Sequence, residues 1–77
     1  MKSKTLNDLK LFSSAKILKL NCIGTLRRRI LDLGFIENSI ISLKLKSPSS
    51  GIKAYEIRGT LVALRDEDAS MIEIVPL

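Results

Sequence analysis

From Ile40 to Val75 the chain is cut into strand-length pieces by tight, polar or glycine-bearing turns. That punctuation constrains the fold more than any other feature. In Ile40–Lys46, Ile41, Leu43 and Leu45 point one way, and Ser42, Lys44 and Lys46 the other. Ser47-Pro48-Ser49-Ser50-Gly51 is a loop by composition. Ile52–Arg58 resumes the alternation, with Tyr55 and Ile57 on one face and Glu56 and Arg58 on the other. Gly59 marks a bulge or a tight turn. Thr60–Arg65 follows at once, with Val62 and Leu64 inward and Leu61 outward. Asp66–Ser70 is an acidic turn with Asp66 as its N-cap, and acids suit a helix start. Met71–Val75 is the last strand, Ile72 and Ile74 inward and Glu73 outward, and Pro76 ends it.

The first half adds one strand and one helix. Ala15–Cys22 alternates imperfectly: Ala15 and Ile17 share one face, Leu18 and Leu20 the other. Either a bulge switches faces midway or both faces are covered. Thr5–Lys10 has the spacing of a single helical turn, with Leu6 and Leu9 packing down. Gly24–Gly34 is the clearest helix. Thr25 is a good N-cap, and Leu26, Ile30 and Leu33 form one apolar stripe. Gly34 falls where a left-handed C′ residue is wanted, and Phe35 is the following residue that packs back near Ile30. A chain of 77 residues has room for one core, so residues 1–77 are expected to form a single domain. Five short strands in so little chain favour a mainly β fold: a small, closed or nearly closed barrel with one embedded α-helix and a short N-terminal helical turn.

Composition removes several function classes. There is no histidine, the usual neutral-pH acid/base and a common metal ligand. The single cysteine, Cys22, excludes an internal disulfide and reads as a small buried hydrophobe. No catalytic residue, metal ligand or cofactor is therefore assigned. Asp66, Glu67 and Asp68 could hold a hard cation weakly, but a capped, solvated turn explains them better. No apolar run approaches the ~20 residues of a membrane span, and the amino end lacks the pattern of a secretory leader. Absence of cysteine pairs fits a reducing cytoplasm. Net charge of +5 permits a nucleic acid, an anionic membrane or an acidic protein face as partner. With two Phe, one Tyr and no Trp, stacking on single-stranded bases is poorly supplied.

Leu26-Arg27-Arg28-Arg29-Ile30-Leu31-Asp32-Leu33-Gly34-Phe35 resembles the signature of the FeoA family. The remaining pieces match in order. They are the opening Leu6–Lys10, the strand carrying Ile41, Leu43 and Leu45, then Tyr55-Glu56-Ile57-Arg58-Gly59, Val62–Arg65, the acidic turn, and Ile72-Glu73-Ile74. Two turns depart from the pattern. Glu37-Asn38 stands where Pro-Gly is usual, and Asn tolerates the left-handed geometry required. Pro48–Gly51 replaces a Gly-Asp-Pro element, which puts family-specific contacts of that loop in question. The resemblance implies an SH3-like barrel. It also implies a non-enzymatic cytosolic accessory role in bacterial ferrous iron uptake, beside the FeoB-type permease with its GTP-binding domain. The same barrel recurs at the end of DtxR-type repressors, so the fold by itself does not fix the function.

The candidate partner-binding residues are Arg27, Arg29, Phe35 and Leu61. Three consecutive arginines fan over about 200° of a helix and cannot all face one surface. Arg28 has Asp32 one turn away, which leaves Arg27 and Arg29 for a partner. Leu61 could join Leu18 and Leu20 in an outer apolar patch. A second small core covered by Leu6, Leu9 and Phe12 accounts for them better. Three functions compete: an interaction module for the permease, a nucleic-acid-binding barrel with steeply salt-dependent affinity, and an activator of the permease's GTPase through an arginine finger. An open sheet edge would also allow a weak homodimer.

Overall fold

The computed structural model describes residues 4–77. In chain order it runs β1 (Lys4–Thr5), a short 3-10 helix (Leu6–Asp8), β2 (Ser14–Leu20) and α1 (Gly24–Asp32). Then come β3 (Ile40–Lys46), β4 (Ile52–Ile57), β5 (Thr60–Arg65), α2 (Asp66–Ala69) and β6 (Ile72–Pro76). All strands pair antiparallel in one sheet of order β1-β6-β2-β3-β4-β5. The sheet has six strands rather than five. The extra one is a two-residue ladder, Lys4 opposite Ile74 and Thr5 opposite Glu73, too short to carry an alternation. The inner faces of β2 to β6 converge on one core, centred on Ile17, Ile30, Phe35, Ile41, Tyr55 and Ile72. The sheet is therefore strongly curled, yet β5 and β1 do not pair to close it.

Two bulges explain where simple alternation fails. In β2, Ile17 pairs with Ile74 but Lys19 pairs with Glu73, leaving Leu18 as the extra residue. The face switches there: Leu18 is exposed, and Leu20 returns to the core. In β3 the ladder shifts between Leu43 and Leu45. Leu45 consequently turns outward and is 59% exposed, against the alternation expected of Ile41, Leu43 and Leu45. Among the described residues there is one core and no second one. Leu6 and Leu9 join the main one, whereas Phe12, at φ 65 in the turn before β2, stands 74% exposed.

Helix α1 begins two residues earlier than its capping pattern predicts. Ile23 holds the N-cap position, Gly24 (φ 65) is the first helical residue, and Thr25 lies inside the helix without a capping hydrogen bond. The far end follows the sequence closely. Gly34 (φ 101) donates its N–H to Leu31 O at 3.0 Å, and Phe35 donates to Ile30 O at 3.2 Å. This is the paired bond pattern of a left-handed glycine stop, and it places Phe35 fully inside the core. The next turn also survives its departure from the family pattern, with Asn38 left-handed at φ 72. Arg58 and Gly59, at φ 52 and 79, form a two-residue turn between β4 and β5 whose positive angles suit the twist of a hairpin. In the acidic turn Arg65 is the N-cap, and Asp66 opens the helix rather than capping it. Near the amino end Asp8 Oδ2 accepts from Thr5 N–H at 2.9 Å and from Thr5 Oγ1 at 3.2 Å.

Candidate partner-docking surface

Ile30 fixes how α1 is rolled onto the sheet. It is completely buried, with Leu26 and Leu31 half-buried beside it. At ~100° per residue, Thr25, Arg28 and Asp32 fall on the opposite side of the helix, with Arg29 and Leu33 along one flank. Those five residues line a shallow groove of about 270 Å³. Arg27 sits on the other flank. Its Nη1 donates to Leu20 O at 3.5 Å, reaching toward the end of β2. Arg28 makes no ion pair with Asp32 within 4.0 Å, so both guanidinium groups at positions 28 and 29 face solvent. All three arginines are exposed, so Arg28 joins Arg27 and Arg29 as a candidate contact.

Phe35 is not available to a partner. Its ring is fully buried because the glycine stop turns the chain inward, so its role is packing. Leu61 points outward on β5 and is 56% exposed. It lies on the edge strand, whereas Leu18 lies on β2, three strands away in the sheet order. The two do not belong to one row of the ladder, and Leu20 faces the core. Cys22 is buried, as its apolar setting suggested.

Two cations gain importance that their sequence context understates. A Cβ built on Gly34 would lie 3.8 Å from Arg58 Cδ, so the β4–β5 turn abuts the end of α1 and brings a fourth arginine beside it. Lys53 is buried on the core face of β4. Its Nζ donates to Asn7 O at 3.1 Å and Asn7 Oδ1 at 2.8 Å, and lies 3.7 Å from Asp66 Oδ1. One ammonium thereby ties β4 to the 3-10 helix and to α2. The signal was present, since Lys53 shares the parity of Tyr55 and Ile57.

Next to this cluster the buried Tyr55 hydroxyl has no hydrogen-bond partner. Burial first, and the Asp66 carboxylate second, push its pKa up to about 12. The folded value lies above the ~10 of an unfolded chain, so the neutral phenol's contribution is intact below about pH 10 and lost as pH rises toward 12. Unfolding titrations between about pH 9 and pH 12 should show about 2–3 kcal/mol of alkaline destabilisation from this group, absent in Tyr55→Phe. An equal alkaline loss in the variant would refute the assignment.

Among the described residues no group of three or more Cys, Asp or Glu is placed to hold a metal ion, and no helix is long and apolar enough to cross a membrane. What the surface offers is exposed arginine beside modest apolar area. Comparison with known proteins agrees with the ordered motifs: the FeoA domain matches residues 4–76. The chain belongs to the FeoA family. A relative from Campylobacter jejuni, named as an Fe(2+) transport protein A, is 34% identical over 70 residues, covering 91% of this chain and 95% of the relative. The FeoA-like protein of Clostridium acetobutylicum is 27% identical with a TM-score of 0.88, covering 100% of this FeoA chain and 90% of the other. The FeoA of Stenotrophomonas maltophilia, solved in complex with zinc and described as a prokaryotic SH3 domain protein, has a TM-score of 0.84. It is 23% identical, with 95% of this chain and 91% of that one covered. The curled sheet of this FeoA chain is accordingly an SH3-like fold, and the family ties it to Fe(2+) transport.

Proposed function

We propose that this protein is a non-enzymatic cytosolic accessory factor of bacterial ferrous iron uptake. It binds the cytoplasmic part of an FeoB-type permease and modulates its transport or assembly. The observation that carries this reading is the family match over residues 4–76, joined to a relative named for Fe(2+) transport. The geometry adds a way to do it. Arg28 and Arg29 stand on a helix whose other face is locked into the core, so they meet an acidic partner without reorganising the fold. Guanidinium groups suit this task because their planar donor fork matches a carboxylate pair.

Calorimetry with the permease's cytoplasmic domain tests the proposal. Binding is expected at physiological salt, and the double change Arg28→Glu and Arg29→Glu should weaken it roughly tenfold or more. Absence of binding to both this domain and the full-length permease would overturn the reading.

A further inference from the structure

Strand β5 is an open edge. It pairs with β4 along six consecutive residue pairs, from Ile57–Thr60 to Ile52–Arg65, and has no strand on its other side among the described residues. The two-residue turn makes Ile57 and Thr60 the closing hydrogen-bonded pair. By alternation, Thr60, Val62 and Leu64 direct their backbone groups to β4, while those of Leu61 and Ala63 point along the free edge. Sheet edges are normally blunted by a central charge, a proline or a bulge. Between Thr60 and Leu64 there is none of these, and the β4–β5 ladder has no register shift. Leu61 and Ala63 are both exposed beside it.

The two ends of this edge carry opposite charge. Arg58, at the hairpin tip, makes no ion pair among the described residues. Arg65, Asp66, Glu67 and Asp68 stand at the other end with a net charge of about −2; Asp66 is held by Lys53 and Glu67 lies 3.9 Å from Arg65. We propose that β5 pairs antiparallel with β5 of a second copy of this chain about a two-fold axis at Val62. In that register Leu61 lies opposite Ala63 of the second copy, so the edge-facing groups of both are satisfied. Each Arg58 lies opposite the start of the other copy's acidic turn, where Asp66 is already held by Lys53 and Glu67 and Asp68 supply the negative charge. The outer row Leu45–Ala54–Ala63, which already crosses β3, β4 and β5, continues onto Leu61 of the second copy. A parallel pairing would set Arg58 against Arg58 and acid against acid. Charge complementarity therefore selects the antiparallel self-pair. One pair of six-residue strands covers less than the ~800 Å² per partner of stable complexes, so the dimer is weak and concentration-dependent. The inference does not rest on the permease reading.

Sedimentation velocity from about 10 µM to about 1 mM, at about 50 mM and about 500 mM salt, tests it. A reversible monomer–dimer equilibrium weakened by salt is expected. Ala63→Pro should abolish the dimer, because it removes an N–H on the free side while sparing the β4 ladder. Arg58→Asp alone, and Glu67→Lys with Asp68→Lys, should each weaken self-association roughly tenfold. An equimolar mixture of these two charge variants should regain it. Being surface changes, they keep the test valid if the proline variant fails to fold. A monomer at every concentration would overturn the proposal. So would a dimer indifferent to these changes, a mixture that fails to recover, or an edge protected only by an added permease domain.

Discussion

Phe35→Ala should lower unfolding free energy by about 3–5 kcal/mol, the usual cost of emptying an aromatic site in a packed core. The ring is fully buried, one residue past the glycine stop, among side chains from α1 and several strands. A domain of this size has only about 5–15 kcal/mol in total, so the variant should be partly unfolded near body temperature. Urea denaturation followed by circular dichroism measures the loss. Phe35→Leu should lose much less, because most of the volume is kept. Were Phe35 a partner contact instead, the alanine variant would unfold like the parent and fail only in binding.

Gly34→Val should cost about 2–4 kcal/mol, mostly as backbone strain. At φ 101 a β-branched residue is disfavoured, yet a Cβ at this position meets nothing nearer than Arg58 Cδ at 3.8 Å. Conformation rather than collision sets the penalty. Two hydrogen bonds, from Gly34 N–H and Phe35 N–H, depend on the turn, and Phe35 reaches the core through it. Hydrogen exchange should show the last turn of α1 losing protection together with the core strands. Denaturation unchanged within a few tenths of a kcal/mol would contradict this account of the glycine stop.

These two neighbours show what the sequence can disclose. Gly34 and Phe35 are legible because a helix stop is a local event, set by one left-handed residue and the hydrophobe after it. Thr60–Arg65 is legible for a similar reason: one uninterrupted ladder keeps period two intact. Leu45 is not, because its bulge belongs to the pairing of β3 with β4 and leaves the alternation of β3 intact; in β2 the broken alternation allowed a bulge, but only the pairing with β6 places it at Leu18. The Lys4–Thr5 strand is too short to have a period. Thr25 looked like a cap because its hydroxyl is suited to the task, but the helix starts two residues sooner, with Ile23 as N-cap and Gly24 first.

The docking surface was half readable. An arginine-bearing helix ending in glycine could be located from residue order. Which arginines face outward depends on helix roll, and roll is decided by Ile30 entering a core built from distant strands. That is why Arg28, set aside for Asp32 on spacing alone, is as exposed as Arg27 and Arg29, and why Phe35, apolar and adjacent, belongs to the interior. Lys53 illustrates the opposite error. Its parity placed it inward, but a lysine is not expected inside unless partners such as Asn7 and Asp66 come from elsewhere in the chain.

The surface assignment is tested most directly by a chemical-shift titration of the isotope-labelled protein with the permease's cytoplasmic domain. Amides of Thr25, Arg28, Arg29, Asp32 and Leu33 should move together and saturate at one stoichiometry. Saturable shifts confined to the loop between β3 and β4, with α1 unmoved, would contradict it.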